Sequence, residues 1–199
     1  MQKYHSDEVV IKLEQYRLIC YHNKGLGLAQ QAFVCTNAML VIIEMIIRFC
    51  GEDVMVREVS ENELSKLLEL YLHLHEETIP EMTEHLVNTW NTIMQDKNHH
   101  VIVKEIDGKI VSSCVCVIIP NLTRNIRPYA FVENVVTHSD YRGKGYATEC
   151  LNYAKTIAEN ANCYKIMLLT GSKNDKTLNF YADAGYNNTD KIAFVQWLE

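Results

Sequence analysis

The chain has 199 residues, 19 Lys and Arg against 25 Asp and Glu, and a formal net charge of −6 at pH 7. With 8 glycines and 3 prolines it is neither collagen-like nor low-complexity, and 48% hydrophobic residues beside 22% charged ones is the make-up of a core-forming chain rather than a disordered one. The acidic balance argues against a general electrostatic grip on nucleic acid, which needs a surplus of Lys and Arg.

Residues 1–53 are expected to form a helical appendage. Val9, Leu13, Tyr16 and Cys20 recur at helical spacing, Asn23-Lys24-Gly25 is a stop signal, and a second helix is expected from Leu28 to Cys50, breaking at Gly51. Met1 to Glu8 has no apolar stretch of the secretory kind. The apolar run Ala38–Cys50 is interrupted by Glu44 and Arg48 and falls short of the roughly 20 residues a membrane span needs, so no membrane partner is expected. The same run leaves self-association as a homodimer open. Met55 is a candidate native start, because every motif with an assignable role lies beyond it.

The cysteines stand at 20, 35, 50, 114, 116, 150 and 163, an odd number with no C-x-x-C pair. They read as buried reduced thiols, which places the chain in a reducing cytoplasm.

From residue 54 onward, short β signals alternate with helices. Val54–Val59 is β-rich; Ser60 with Glu63 forms a capping box ahead of a helix whose inner face carries Leu64, Leu67, Leu68 and Tyr71. After Pro80, a second helix from Glu81 to Gln95 turns Leu86, Val87, Trp90 and Met94 inward. His100–Ile106 and Lys109–Ile119 flank Asp107-Gly108, a strong hairpin signal. A loop at 120–128 precedes a strand at Tyr129–Thr137. A helix follows at about Gly145–Asn160, then a strand at Tyr164–Thr170. A helix at Asn174–Ala184 closes on Gly185, and the last strand is Ile192–Leu198. The order β-α-α-β-β-β-α-β-α-β predicts one α/β domain, residues 54–199, with a mixed sheet.

The informative turn is Tyr141-Arg142-Gly143-Lys144-Gly145-Tyr146-Ala147-Thr148, where a strand delivers the chain to a helix start. Such a start offers unpaired backbone N–H groups and the positive end of the helix dipole, and the glycines let a ligand come close: an anion cradle suited to a pyrophosphate. A Walker A loop would need Gly at 138 and Ser or Thr after Lys144, where this chain has His138 and Gly145. A G-x-G-x-x-G dinucleotide fingerprint fails at Thr148.

Arg142-Gly143-Lys144-Gly145-Tyr146-Ala147 resembles the Q/R-x-x-G-x-G/A signature of the GNAT superfamily of acyl-CoA-dependent N-acetyltransferases. The context agrees. Glu133-Asn134-Val135-Val136-Thr137 ends the strand upstream. Downstream, Asn174 and Asn179-Phe180-Tyr181-Ala182-Asp183-Ala184-Gly185-Tyr186 are similar to the family's later helix. The resemblance covers residues 54–199.

It implies the GNAT fold: a mixed, mostly antiparallel sheet whose central strands splay apart, flanked by helices. It also implies acetyl-CoA as co-substrate, with no metal. The backbone of Val135, Val136 and Thr137 would pair with the pantetheine arm. Backbone N–H groups of Arg142, Gly143, Lys144, Gly145, Tyr146, Ala147 and Thr148 would receive the pyrophosphate, and Asn174 would touch the pantetheine. Tyr181 is then the candidate general acid at the thioester sulfur and Glu133 the candidate base. The chemistry wants both: an amine of pKa about 10 must lose a proton to attack, and a thiolate of pKa about 8.5 leaves better when protonated.

The acceptor is less legible. The 75–84 connection carries His75, Glu76, Glu77, Glu81 and Glu84, an acidic rim or a solvated face. Asn121, Arg124 and Arg127 lie in the facing loop, where the arginines either clamp a carboxylate or phosphate on the acceptor or stay in solvent. A small-molecule amine is the expected acceptor. A protein or peptide amine and a non-catalytic acyl-CoA-binding module are the alternatives. His73, His75, His99 and His100 lack metal-ligand spacing.

Overall fold

The computed structural model describes residues 8–13, 16–21, 55–74 and 77–198. The chain divides into two compact units, 1–52 and 53–199.

In the first unit, β1 (Glu8–Leu13) pairs antiparallel with β2 (Tyr16–Tyr21), from Glu8 opposite Tyr21 to Leu13 opposite Tyr16. This corrects the helix expected over the same residues. Val9, Val10, Ile11, Ile19 and the tyrosines are β-branched or aromatic types that favour extended backbone, and their spacing also permits a helical reading. The second helix expected at 28–50 lies outside the described residues.

In the second unit, β3 (Val56–Glu58), β4 (His99–Ile106), β5 (Lys109–Ile119), β6 (Tyr129–Thr137) and β7 (Ile166–Leu168) form one sheet in that spatial order. All neighbours are antiparallel except β6 and β7, which are parallel. The β4–β5 turn has φ 50° at Asp107 and 75° at Gly108, the two positive values a tight hairpin requires.

Strand alternation divides the core. Val101, Val103 and Val115 face α1 (Leu64–Tyr71) and α2 (Glu84–Gln95), joined there by Leu67, Leu70 and Trp90. Ile102, Cys114, Cys116, Ala130 and Val132 face α3 (Tyr146–Asn160), which contributes Cys150, Leu151, Ala154 and Ala158; Phe180 and Tyr181 of α4 (Asp175–Asp183) pack at the margin. Full burial of side chains such as Leu67 and Leu70 stabilises the fold by roughly 1.5–3 kcal/mol each.

The Glu63 carboxylate accepts from the Ser60 N–H at 2.9 Å, so the predicted cap is present, although the first turn it opens is a 3₁₀ turn that leads into α1. Leu70, rather than Leu68, is the deeper anchor of α1. α2 starts at Glu84 instead of Glu81 because the Thr83 hydroxyl caps it, accepting from the Leu86 N–H at 3.2 Å. That phase leaves Val87 at 41% exposure. The expected strand Tyr164–Thr170 shortens to Ile166–Leu168, and the expected last strand at 192–198 is absent: that segment has no regular secondary structure, and Phe194 and Trp197 are bare. An alternating apolar pattern makes a strand only where an edge receives it. Among the described residues no helix is long and apolar enough to cross a membrane.

Candidate active site

The site is built where β6 outruns β7. Parallel pairing covers Ala130–Val132 against Ile166–Leu168, and beyond Val132 the strand continues to Thr137 without β7 beside it. Glu133, Asn134, Val135, Val136 and Thr137 therefore leave backbone groups facing an opening. On its other edge β6 carries a bulge. Ser113 pairs with Val136 and Val115 with Glu133, so Cys114 alone stands opposite Asn134 and Val135. Asn134 has φ 53°, a left-handed conformation that Asn tolerates better than most residues. The bulge reverses the alternation. Ala130 and Val132 face α3 before it and Val135 faces α3 after it, while Val136 turns to the α1 side.

At the end of β6, a 3₁₀ turn at Ser139–Tyr141 leads into α3. Gly143 and Gly145 have φ of 76° and 85°, values that cost any L side chain strain. From Gly143 through Thr148 no backbone N–H donates to a backbone carbonyl of a described residue; the first such bond runs from the Glu149 N–H to the Gly145 carbonyl at 3.0 Å. These orphan donors sit at the positive end of a fifteen-residue helix. Lys144 Nζ lies 4.8 Å from the centre of the Tyr141 ring. Arg142 is committed elsewhere: Nε donates to the Thr137 carbonyl at 3.1 Å and Nη2 to the His73 carbonyl at 3.3 Å, strapping the turn to β6 and to the end of α1.

Across the opening, Asn174 caps α4, its Oδ1 accepting from the Lys176 N–H at 2.8 Å; this leaves the Nδ2 amide as the group able to reach a ligand. Tyr181 lies on α4 between Phe180 and Tyr186, with ring centroids 4.9 and 6.3 Å away. Burial, then the nearby Cys114 and Glu133, raises its pKa above the ordinary tyrosine value, so its hydroxyl keeps its proton at neutral pH. Glu133 is exposed on β6.

Residues 64–186 match the acetyltransferase (GNAT) family. The chain belongs to that family, and it is an acetyltransferase. It is 31% identical over 138 residues to the glucosamine 6-phosphate N-acetyltransferase of Trypanosoma brucei brucei, covering 67% of this chain and 89% of the relative. A solved structure from Agrobacterium tumefaciens str. C58, provisionally described as an acetyltransferase, superposes with a TM-score of 0.66 at 35% identity, covering 72% of this chain and 99% of that one. The glucosamine-6-phosphate N-acetyltransferase of Arabidopsis thaliana shares the fold at TM-score 0.64 and 21% identity, over 74% of this chain and all of that one (100%).

The structure adds residues to this GNAT domain that sequence reasoning passed over. Lys104 of β4 is buried and pairs with Glu149 in the first turn of α3. The signal was its parity with Ile102, which places it on the α3 face of the sheet. Tyr71, at the end of α1, has its hydroxyl by the bulge. Burial pushes its pKa up to about 12, while Ser113 and Asn134 pull it the other way. Arg127, left open between an anion clamp and a solvated side chain, is neither: it donates to the Asn162 carbonyl at 3.1 Å and the Cys163 carbonyl at 2.8 Å, closing the 120–128 loop onto the end of α3. Arg124 stacks near the Tyr164 ring at 5.9 Å. Of the expected acidic rim, His75 and Glu76 lie outside the described residues, and Glu77, Glu81 and Glu84 are exposed.

Proposed function

We propose that this chain moves the acetyl group of acetyl-CoA to the primary amine of a small molecule, by direct attack of the amine on the thioester. The observation that carries the reading is the meeting of two sets of backbone groups: the edge of β6 that β7 leaves uncovered beyond Val132, and the N–H groups from Gly143 to Thr148 that donate to no described backbone carbonyl. The first suits the amide-bearing pantetheine arm and the second a pyrophosphate. The cofactor would supply an acyl group activated as a thioester.

In this reading Val135, Val136 and Thr137 pair with the arm, and a β6 N–H polarises the thioester carbonyl. Arg142, Gly143, Lys144, Gly145, Tyr146, Ala147 and Thr148 present backbone donors to the pyrophosphate, and Arg142 holds the turn in shape. The Asn174 amide reaches the pantetheine. Glu133 takes the proton of the attacking amine, directly or through water. Tyr181, kept protonated by burial, gives its proton to the departing thiolate. No covalent enzyme intermediate is needed. Cys114, Cys116 and Cys150 are buried with pKa values pushed up, which makes them poor nucleophiles. Free thiols of this kind fit a reducing, cytoplasmic setting.

The T. brucei relative makes a phosphorylated amino sugar the first acceptor to try. The test incubates the full chain with acetyl-CoA and a panel of glucosamine 6-phosphate, glucosamine, aminoglycosides, amino acids, polyamines and short peptides, scoring acetylated products by mass spectrometry. A small-molecule product whose rate drops about 10²-fold or more in Tyr181→Phe, with acetyl-CoA binding retained, supports the reading. Product from peptides alone, or CoA binding with no product, overturns it in favour of a peptide enzyme or a binding module.

A further inference from the structure

At the end of the sheet bearing the β4–β5 turn, a cleft of about 360 Å³ opens between α1, the first residues of β5 and His138. Lys66, His73, Lys109 and His138 line it, with Glu69 the one carboxylate among the described lining residues. Lys66 Nζ donates to the Gly108 carbonyl at 3.2 Å and lies 3.6 Å from Glu63.

His138 is the unusual member. The Asp140 N–H points at its Nδ1 from 3.2 Å, and Lys109 Nζ stands 2.9 Å from its Nε2. A neutral imidazole has one accepting nitrogen and one N–H. Whichever tautomer it adopts, one of these two contacts sets donor against donor, and protonating the ring makes both of them so. The rest of the surroundings does not help. The His73 ring centroid is 4.0 Å away, the Arg142 guanidinium is bonded to the His73 carbonyl, and the Asp140 carboxylate is 3.9 Å from Nδ1 and exposed. Burial, then His73 and Lys109, pushes the His138 pKa down, as expected for a ring crowded by cations.

Lys109 and the His138 ring face each other with no acceptor between them, and an anion there would relieve the contact. We propose that this cleft binds the phosphate of a phosphate monoester, its oxygens taking the donors of Lys109, Lys66 and the His138 ring. A phosphate dianion has acceptor oxygens enough for three such partners, and the cleft is large enough to hold it with the group it is attached to. Two sources carry that chemistry: the 3′-phosphate of CoA, and a phosphate on the acceptor amine. Naming these two sources rests on the acetyl transfer proposed above.

The test is calorimetric binding to the full chain and does not depend on turnover. Wild type and the Lys66→Met/Lys109→Met double variant are titrated with CoA against 3′-dephospho-CoA, and with glucosamine 6-phosphate against glucosamine. Both lysines are solvent-exposed, and matched thermal melts check that the variant is folded. The expected result is a wild-type preference of about tenfold or more for the phosphorylated member of one pair, falling to about twofold in the variant, with affinity for the dephosphorylated member unchanged. The CoA pair or the sugar pair then identifies the source. No wild-type preference in either pair, a preference that survives in the variant, or an equal loss for both members of a pair overturns the proposal. An enzyme that acetylates its acceptor yet keeps its phosphate preference in the variant sinks this inference and leaves the transfer reaction standing.

Discussion

Lys104 Nζ lies 2.5 Å from Glu149 Oε2, with the lysine side chain 2% exposed and the glutamate 44%. The pair ties the middle of the sheet to the first turn of the helix whose N–H groups form the proposed pyrophosphate cradle. The ammonium also lies 5.5 Å from the centre of the Tyr146 ring, the first residue of that helix. A carboxylate so near an anion site would repel the anion, and the lysine beneath it offsets that charge.

The unequal burial of the two partners predicts unequal consequences. Glu149→Gln takes the carboxylate from a buried ammonium and is expected to cost about 1–3 kcal/mol of stability; Lys104→Met leaves a carboxylate that water can reach and is expected to cost less than about 1 kcal/mol. Urea denaturation of both variants decides, and equal losses would contradict the account.

The Arg57 guanidinium is held by Glu63 through two bonds, at 2.7 and 2.8 Å, and also contacts Glu105. Mainly through Arg57, the Glu63 pKa falls from 4.5 to about 2. Because the folded pKa lies below the unfolded one, the stabilisation is complete above pH 4.5 and is lost as pH falls toward 2. We expect about 2 kcal/mol to disappear over that window in the wild type. In Glu63→Gln the stability-versus-pH slope should be shallower there, and an unchanged slope would rule the ion pair out as its cause.

A Cβ at Gly145 meets nothing within 4 Å, but φ is +85°. Gly145→Ala therefore carries a cost of backbone strain alone, about 1–2 kcal/mol, and should weaken CoA binding as the turn shifts. Gly171 has equally open space and no positive φ, so Gly171→Ala should melt at or slightly above the wild-type temperature. Thermal melts with CoA titrations compare the two.

Cys114, Cys116 and Cys150 are fully buried, and burial pushes the latter two thiols up to about 12. At pH 8 the folded protein should leave all three unlabelled by iodoacetamide, with labelling only after denaturant is added. Peptide mapping after a native pulse checks this, and early label on any of the three would show that α3 opens readily.

Much of the second unit was legible from sequence, because its signals were local and mutually consistent. Asp107-Gly108 fixed a hairpin, the apolar runs set the bounds of β5 and β6, and two glycines before a periodic segment marked the start of α3. The misreadings share a cause. Val9 to Cys20 fits either period, and 192–198 has the pattern of a strand, so in both cases pairing partners decide and sequence does not display them. The same holds within the site. Arg127 has the chemistry of an anion clamp, but the carbonyls of Asn162 and Cys163 claim it. Lys104 sits among apolar residues of β4, and its role becomes visible only with α3 laid across that face.

The bulge at Asn134 changes what one strand can present. A regular strand offers a given face every second residue, so adjacent polar groups must point apart. With one extra residue in β6, Glu133 and Asn134 are both exposed in succession, while Val132 and Val136 on either side remain buried. The strand thereby exposes two neighbouring polar residues without surrendering a core position. Its reading frame depends on the bulge: paired one residue for one without it, Val135 and Val136 would trade destinations, so the bulge at Asn134 holds the last third of β6 in phase with both layers of helices.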